Sequence, residues 1–297
     1  MAGQPHILGH YKIERILGRG AMGVVYEGMD LRLHRRVAIK TILKTEHADA
    51  MLQDHTSRFL REAQAVARLN HPNIVQVYDF GEEDDVSYIV MEFITGKDLK
   101  SYFDSGSRFD AREVTRIMGE LLDALDFAHG NGVVHRDIKP ANVMIDSHNR
   151  TKLTDFGVAR LTDRERAPAE HTQAGTMVGT PAYMSPEQVL GQHIDHRTDI
   201  FSAGVLLYQM LTGQKPFEGG AFTVARKIVE TDPPPPSTLE GSLSPEFDRI
   251  VGRAIAKSPD QRFARAREFA EALRRAIDRQ PAGDFDDGAT ILGAPPP

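Results

Sequence analysis

The 297-residue chain contains no cysteine. Disulfides and thiolate metal sites are therefore excluded, and the composition suits a reducing cytosol. A long basic run is also missing, and a formal net charge of -6 disfavours a nucleic-acid surface. No segment reads as a membrane span. The most apolar stretch, IFSAGVLLYQMLTG (200–213), is too short and too polar at its edges. The opening MAGQPHILGHY lacks the charged-then-apolar layout of a signal peptide, and no internal repeat is visible. These absences predict a soluble chain. With 40% hydrophobic residues, it can bury a substantial core in one large domain or two lobes.

The pattern along the chain divides near residue 95. Residues 11–44 alternate apolar and polar positions between glycines and predict antiparallel strands. SRFLREAQAVARL (57–69) has helical spacing behind a serine cap. Residues 74–93 predict a hairpin around an acidic, glycine-containing turn. From residue 98 the period becomes helical, with an amphipathic helix over 111–130 ending at Gly130. Further helices are expected over 197–212, 221–230, 244–256 and 266–277. DPPPPS (232–237) reads as a connection, and the composition beyond about residue 280 is that of a disordered tail.

Three stretches concentrate chemistry. LGRGAMGVVY places Gly18, Gly20 and Gly23 where backbone N–H groups could approach phosphate oxygens. In a dinucleotide fold such a loop opens a helix, whereas VVYEGMD reads as a strand. Lys40 ends the strand VAIK. A lone lysine there would be a solvated charge, but Glu62 on the 57–69 helix is a candidate partner, and a lysine so held can fix phosphates. VVHRDIKPANVMIDSHNRTKLTDFG (133–157) sets a run of polar groups between two apolar segments. Within it, Asp137 can accept a hydroxyl proton and Lys139 can neutralise a transferring phosphoryl group. Asn142 and Asp155 offer hard oxygen ligands to Mg²⁺, with Mn²⁺ as the alternative. Any single aspartate here could be a turn residue; the ordered set is not a chance pattern.

On these motifs (GRGAMGVV, VAIK, HRDIKPAN, DFG and SPE at 185–187) the chain resembles the protein kinase family over about residues 11–277. Ser185 stands where the family has alanine, and Glu187 is retained. The resemblance implies an α+β bilobal fold, with a small antiparallel-sheet N-lobe over about 11–94 and a mainly helical C-lobe over about 95–277, followed by a tail over 278–297. It implies ATP binding through Leu17, Gly18, Gly20, Gly23 and Lys40. Val25, Ala38 and Met144 would sandwich the adenine, and Met91 would guard the pocket behind Glu92–Ile94. It further implies a Glu187–Arg262 pair, Asp199 as anchor of the catalytic loop, and an apolar stack of Val66, Val77, His135 and Phe156. His135 is thus a core histidine rather than a proton carrier.

Lys139 in the loop and GTPAYMSPEQ (179–188), with Thr180 near Asp137 and Lys139, are similar to serine/threonine rather than tyrosine kinases. GHYKIERILGRGAMGVVYEG and MSPEQ look most like bacterial kinases of the eukaryotic-like type. A cytoplasmic location follows, either alone or as the cytoplasmic part of a longer membrane-anchored protein. Basic-directed relatives carry glutamates where this chain has Ala141 and Gln209, so selection for arginine before the target residue is not implied. The rival readings are a pseudokinase-type scaffold and a small-molecule phosphotransferase of similar fold. The first is disfavoured because Lys40, Asp137, Asn142 and Asp155 are all present. The second is disfavoured by the intact segment from Asp155 to Glu187, a platform for protein substrates.

Two modification sites are expected. Arg136 beside the catalytic aspartate, with Arg58 and Arg160 by resemblance, would line a pocket for a phosphothreonine that orders the activation loop. Thr176, four residues before Thr180, matches the primary site best, with Thr172 second. In the tail, Thr290 follows acidic residues and precedes Ile291 and Leu292, like sites read by forkhead-associated domains, although Gly293 departs from the usual third position. Autophosphorylated Thr290 would then dock a phosphothreonine-binding partner through its added charge.

Overall fold

The computed structural model describes residues 7–20, 23–43, 66–83, 86–156 and 181–279. Those through Thr95 form one compact unit and those from Gly96 form another.

The first unit is a six-stranded antiparallel sheet of β1 (Ile7–Leu8), β2 (Tyr11–Gly20), β3 (Gly23–Asp30), β4 (Arg35–Leu43), β5 (Val77–Glu83) and β6 (Val86–Glu92), in the order β1-β2-β3-β4-β6-β5. Its register pairs Tyr26 with Ile39 and Ile39 with Val90. Because side chains alternate along a strand, Tyr26, Val37, Ile39, Tyr88 and Val90 gather on one face with Leu8 and Tyr11 as the buried cluster. The intervening residues Val25, Ala38, Lys40 and Met91 share the other face. Gly28 belongs to this packing: a Cβ there would lie 2.7 Å from Ile39 Cδ1. Residues 31–34 form the β3–β4 turn, where Asp30 Oδ1 accepts the Arg32 and Leu33 N–H groups at 2.9 and 3.0 Å.

The second unit is helical, with a small sheet of β7 (Gly96–Asp98), β8 (Val143–Asp146) and β9 (Thr151–Leu153) in the order β7-β8-β9. Its helices are α1 (Leu99–Asp104), α2 (Ala111–Gly130), α3 (Pro186–Val189), α4 (Arg197–Thr212), α5 (Ala221–Glu230), α6 (Pro236–Leu239), α7 (Pro245–Ala254) and α8 (Ala266–Asp278). In α2, the Asp110 side chain caps the Glu113 N–H, and the helix ends at Gly130 as its periodicity predicts. α4 is buried on every side from Thr198 to Thr212, which explains why its sequence is apolar all round rather than striped. Gly204 lets α7 approach this helix, since a Cβ there would lie 2.7 Å from the Ala254 Cβ.

The structure departs from the sequence expectations in small ways. β1 precedes the predicted start of the sheet, and β7 occupies the first residues expected to lead into helix. The proline connection gives way to α6, because a proline at the first helical position forfeits no hydrogen bond. The helix expected over 244–256 spans Pro245–Ala254. The expected 57–69 helix lies outside the described residues except for its end from Val66 onward.

Candidate active site

In the sheet unit, the strand registers gather the nucleotide-side candidates. Gly18 pairs with Val25, Val25 with Lys40, and Ala38 with Met91. Val25, Ala38, Lys40 and Met91 therefore project from one face, with Gly18 paired beside Val25 and opposite the apolar cluster. Gly20 pairs with Gly23 at the end of the β2–β3 hairpin where the chain passes from one strand to the next, and Gly23 has φ 152, a conformation that side chains disfavour. Leu17 is the extra residue of a bulge between Ile16 and Gly18 and is exposed. Glu92 closes β6, where its N–H donates to the Gln76 carbonyl at 2.8 Å and its Oε2 accepts the Gln76 N–H at 3.3 Å. Ile94 follows it, half-buried.

In the helical unit, the catalytic-loop candidates converge on one carboxylate. Lys139 Nζ donates to Asp137 Oδ2 at 2.7 Å. Asn142 Nδ2 donates to the Asp137 carbonyl at 2.8 Å and to Oδ2 at 3.1 Å. Asn142 thus spends its amide protons on Asp137 and keeps Oδ1 as the oxygen to offer a cation. The 154 N–H donates to the Asn142 carbonyl at 2.9 Å, and the Thr154 carbonyl accepts from His135 Nε2 at 2.9 Å. Asp155 follows directly at φ 56, so the segment carrying it is tied to the segment carrying Asn142. Met144 lies on β8 opposite Lys152, half-buried.

His135 is a structural group. It is fully buried, and its ring centroid lies 4.7 Å from that of Phe156. Nδ1 accepts the Asp137 N–H at 3.2 Å while Nε2–H donates to Thr154. Burial pushes its pKa down, and nearby Asp199 and the Thr154 bond only partly oppose this. The neutral ring fits both bonds, as the sequence expectation of a core histidine requires. Val66 and Val77, the other members of the expected stack, lie in the sheet unit.

The loop is anchored from α4. Asp199, fully buried, accepts the His135 N–H at 2.8 Å and the Arg136 N–H at 2.7 Å. Burial pushes its carboxyl up, but the His129 hydrogen bond at 2.8 Å and the charges and N–H groups beside it outweigh that and hold it below the ordinary carboxylate range. Farther along, Glu187 and Arg262 form a buried fork with N···O distances of 2.7 and 2.8 Å. Thr198 Oγ1 donates to the same Glu187 at 2.6 Å. Gln209 is buried and accepts from the Tyr183 hydroxyl.

Sequence reasoning passed over His129, Thr198 and Gln188. His129 at a helix C-terminus reads as a dipole partner, and nothing local announces its bond to Asp199. Gln188 is the third residue of a capping box begun by Ser185, a signal present in SPEQ, yet its Nε2 also reaches the Arg136 carbonyl at 2.8 Å. Arg58, Glu62, Arg160, Thr172, Thr176, Thr180 and Thr290 lie outside the described residues.

The donor set suits a divalent cation that arrives with phosphates. Among the described residues no cluster of three or more histidine or carboxylate side chains forms a self-contained metal site. Asn142 and Asp155 each carry a hard oxygen of the kind a divalent cation prefers. No helix of the described residues is long and apolar enough to cross a membrane.

Comparison with known proteins agrees. The family model described as "Protein kinase domain" matches residues 11–274. A "Probable serine/threonine-protein kinase" of Streptomyces coelicolor is 41% identical over 93% of this chain and 41% of its own length. The serine/threonine-protein kinase pkn3 of Myxococcus xanthus is 38% identical over 96% of this chain and 54% of its own. The serine/threonine-protein kinase PknB of Mycolicibacterium smegmatis is 40% identical over 98% of this chain and 47% of its own. The chain thus spans about half the length of the curated relatives it matches. From the glycine hairpin to the Glu187–Arg262 fork, and by the family match over most of its length, the chain belongs to the protein kinase family.

Proposed function

We propose that the chain is a serine/threonine protein kinase that transfers the γ-phosphoryl of ATP to serine and threonine hydroxyls of proteins. The observation that carries this reading is the Asp137 carboxylate, gripped by Lys139 and Asn142 on a loop anchored by Asp199. Asp137 orients the substrate hydroxyl and accepts its proton, while Lys139 offsets the charge of the transferring group. Lys40, for which Glu62 is the partner expected from the sequence, and the glycines of the β2–β3 hairpin position the phosphates. Bound MgATP supplies the phosphoryl group and the counter-charge, with Asn142 and Asp155 holding the metal. The adenine contacts in this reading are Leu17, Val25, Ala38, Met91 and Glu92–Ile94 from the sheet unit and Met144 from the helical unit.

Three finer points belong to the same reading. Phosphorylation of Thr176 or Thr172 activates the enzyme through Arg136, Arg58 and Arg160. The protein works in the cytoplasm. Neutral Ala141 and Gln209 stand where basic-directed relatives carry glutamates, so selection for arginine before the target is not expected, and the Tyr183 hydroxyl already occupies the Gln209 oxygen.

The test is Asp137→Asn. ATP binding should survive almost intact while turnover on a protein substrate falls by ~10²–10⁴, about 3–5 kcal/mol of barrier. Near-normal turnover in this variant would show the assignment to be wrong.

A further inference from the structure

Arg136, which precedes Asp137, sits at φ 66, a left-handed conformation that residues with side chains seldom adopt. Its backbone is held on both sides. The N–H donates to Asp199 Oδ1 at 2.7 Å, and the carbonyl accepts from Gln188 Nε2 at 2.8 Å. That carbonyl shares a peptide plane with the Asp137 N–H, which donates to His135 Nδ1 at 3.2 Å. Gln188 therefore grips the plane that leads into Asp137, from a helix 52 residues further along the chain.

Gln188 is itself fixed at its other end. Its Oε1 accepts the Ser185 N–H at 3.0 Å, and its own backbone N–H donates to Ser185 Oγ at 3.3 Å. Ser185, where the family has alanine, thus supplies half of the capping box that orients the glutamine.

We propose that Gln188 is a positioning residue for phosphoryl transfer: it clamps the Arg136–Asp137 peptide and so fixes the direction of the Asp137 carboxylate. This rests on the reading of Asp137 given above. The competing role is purely structural, in which Gln188 only starts α3. The two separate cleanly in Gln188→Glu. Glutamate serves a capping box as well as glutamine does, but when ionised it has no proton for the Arg136 carbonyl.

The experiment compares the full chain as wild type, Gln188→Glu and Gln188→Ala at a temperature well below the lowest Tm. It measures steady-state transfer to a protein substrate, thermal unfolding, and amide hydrogen exchange over residues 133–142. Gln188→Glu should keep its Tm within about 2 °C and its KM for ATP, while kcat falls about tenfold. Exchange over 133–142 should rise in that variant. Gln188→Ala should lose both kcat and Tm. Wild-type kcat and exchange in Gln188→Glu, with Gln188→Ala lowering only Tm, would overturn the clamp. If the wild type transfers no phosphoryl group, it is the kinase reading that fails; the exchange rates still decide whether Gln188 holds the loop.

Discussion

Replacing Arg262 by alanine should be among the costliest single changes in the helical unit. Its guanidinium is fully buried and places all five N–H donors. Nε donates to the Ala256 carbonyl at 2.8 Å. Nη1 donates to Glu187 Oε1 at 2.7 Å and to the Arg197 carbonyl at 2.9 Å. Nη2 donates to Glu187 Oε2 at 2.8 Å and to the Lys257 carbonyl at 3.0 Å. Arg262→Ala would strand a buried carboxylate, so the loss should be about 3–5 kcal/mol. At 2–4 °C per kcal/mol this lowers Tm by roughly 6–20 °C. The pH dependence supplies a second signature. In the wild type, burial pushes the Glu187 carboxyl up, but Arg262 and Thr198 more than reverse this and hold it below its ordinary value. That contribution is present above the unfolded carboxylate range and is lost as pH falls through the folded value. In Arg262→Ala, burial acts without the arginine, so the folded-state pKa rises and acid relieves the penalty. The gap between variant and wild type should narrow from about pH 7 to about pH 5. Urea unfolding followed by circular dichroism measures both, with Arg274→Ala as control: its pair with Asp123 is half-exposed at 3.2 Å and should contribute under about 1 kcal/mol. A loss in Arg262→Ala as small as the control's, or a gap that widens on acidification, would refute the argument.

The activation-loop reading predicts that the double variant Thr172→Ala, Thr176→Ala loses most of its activity on a protein substrate; full activity would end that reading. For the tail, autophosphorylation followed by mass spectrometry should find Thr290 modified, and Thr290→Ala should abolish capture of a forkhead-associated-domain partner without changing activity. An unmodified Thr290 beside modified activation-loop threonines would rule the tail site out.

What was legible in the sequence follows from how local the determinants are. β2 to β4 and the 111–130 helix carry their periodicity and their breakers within their own residues, so they are readable. The short elements are not: β1 and β7 are too brief to establish a period, and the proline run conceals the start of α6. The same division holds at the site. Asp137, Lys139 and Asn142 lie within six residues of one another and form one recognisable cluster, which the hydrogen bonds then join. The Gln188 bond to Arg136 and the His129 bond to Asp199 connect distant segments through single side-chain atoms. Their residue types have ordinary local explanations, a helix cap and a dipole partner, so only the three-dimensional structure reveals the second contact. Arg136 is a related case, because its left-handed backbone is imposed by Asp199 and Gln188 from outside the loop.

The most direct test of the central claim is phosphosite mapping of the wild-type chain and Asp137→Asn, each incubated with ATP and Mg²⁺ in the presence of a protein substrate. The account predicts phosphoserine and phosphothreonine on the substrate and on the wild-type chain itself, and ~10²–10⁴-fold less of both with Asp137→Asn. ATP consumption by the wild type without any phosphorylated protein would contradict it.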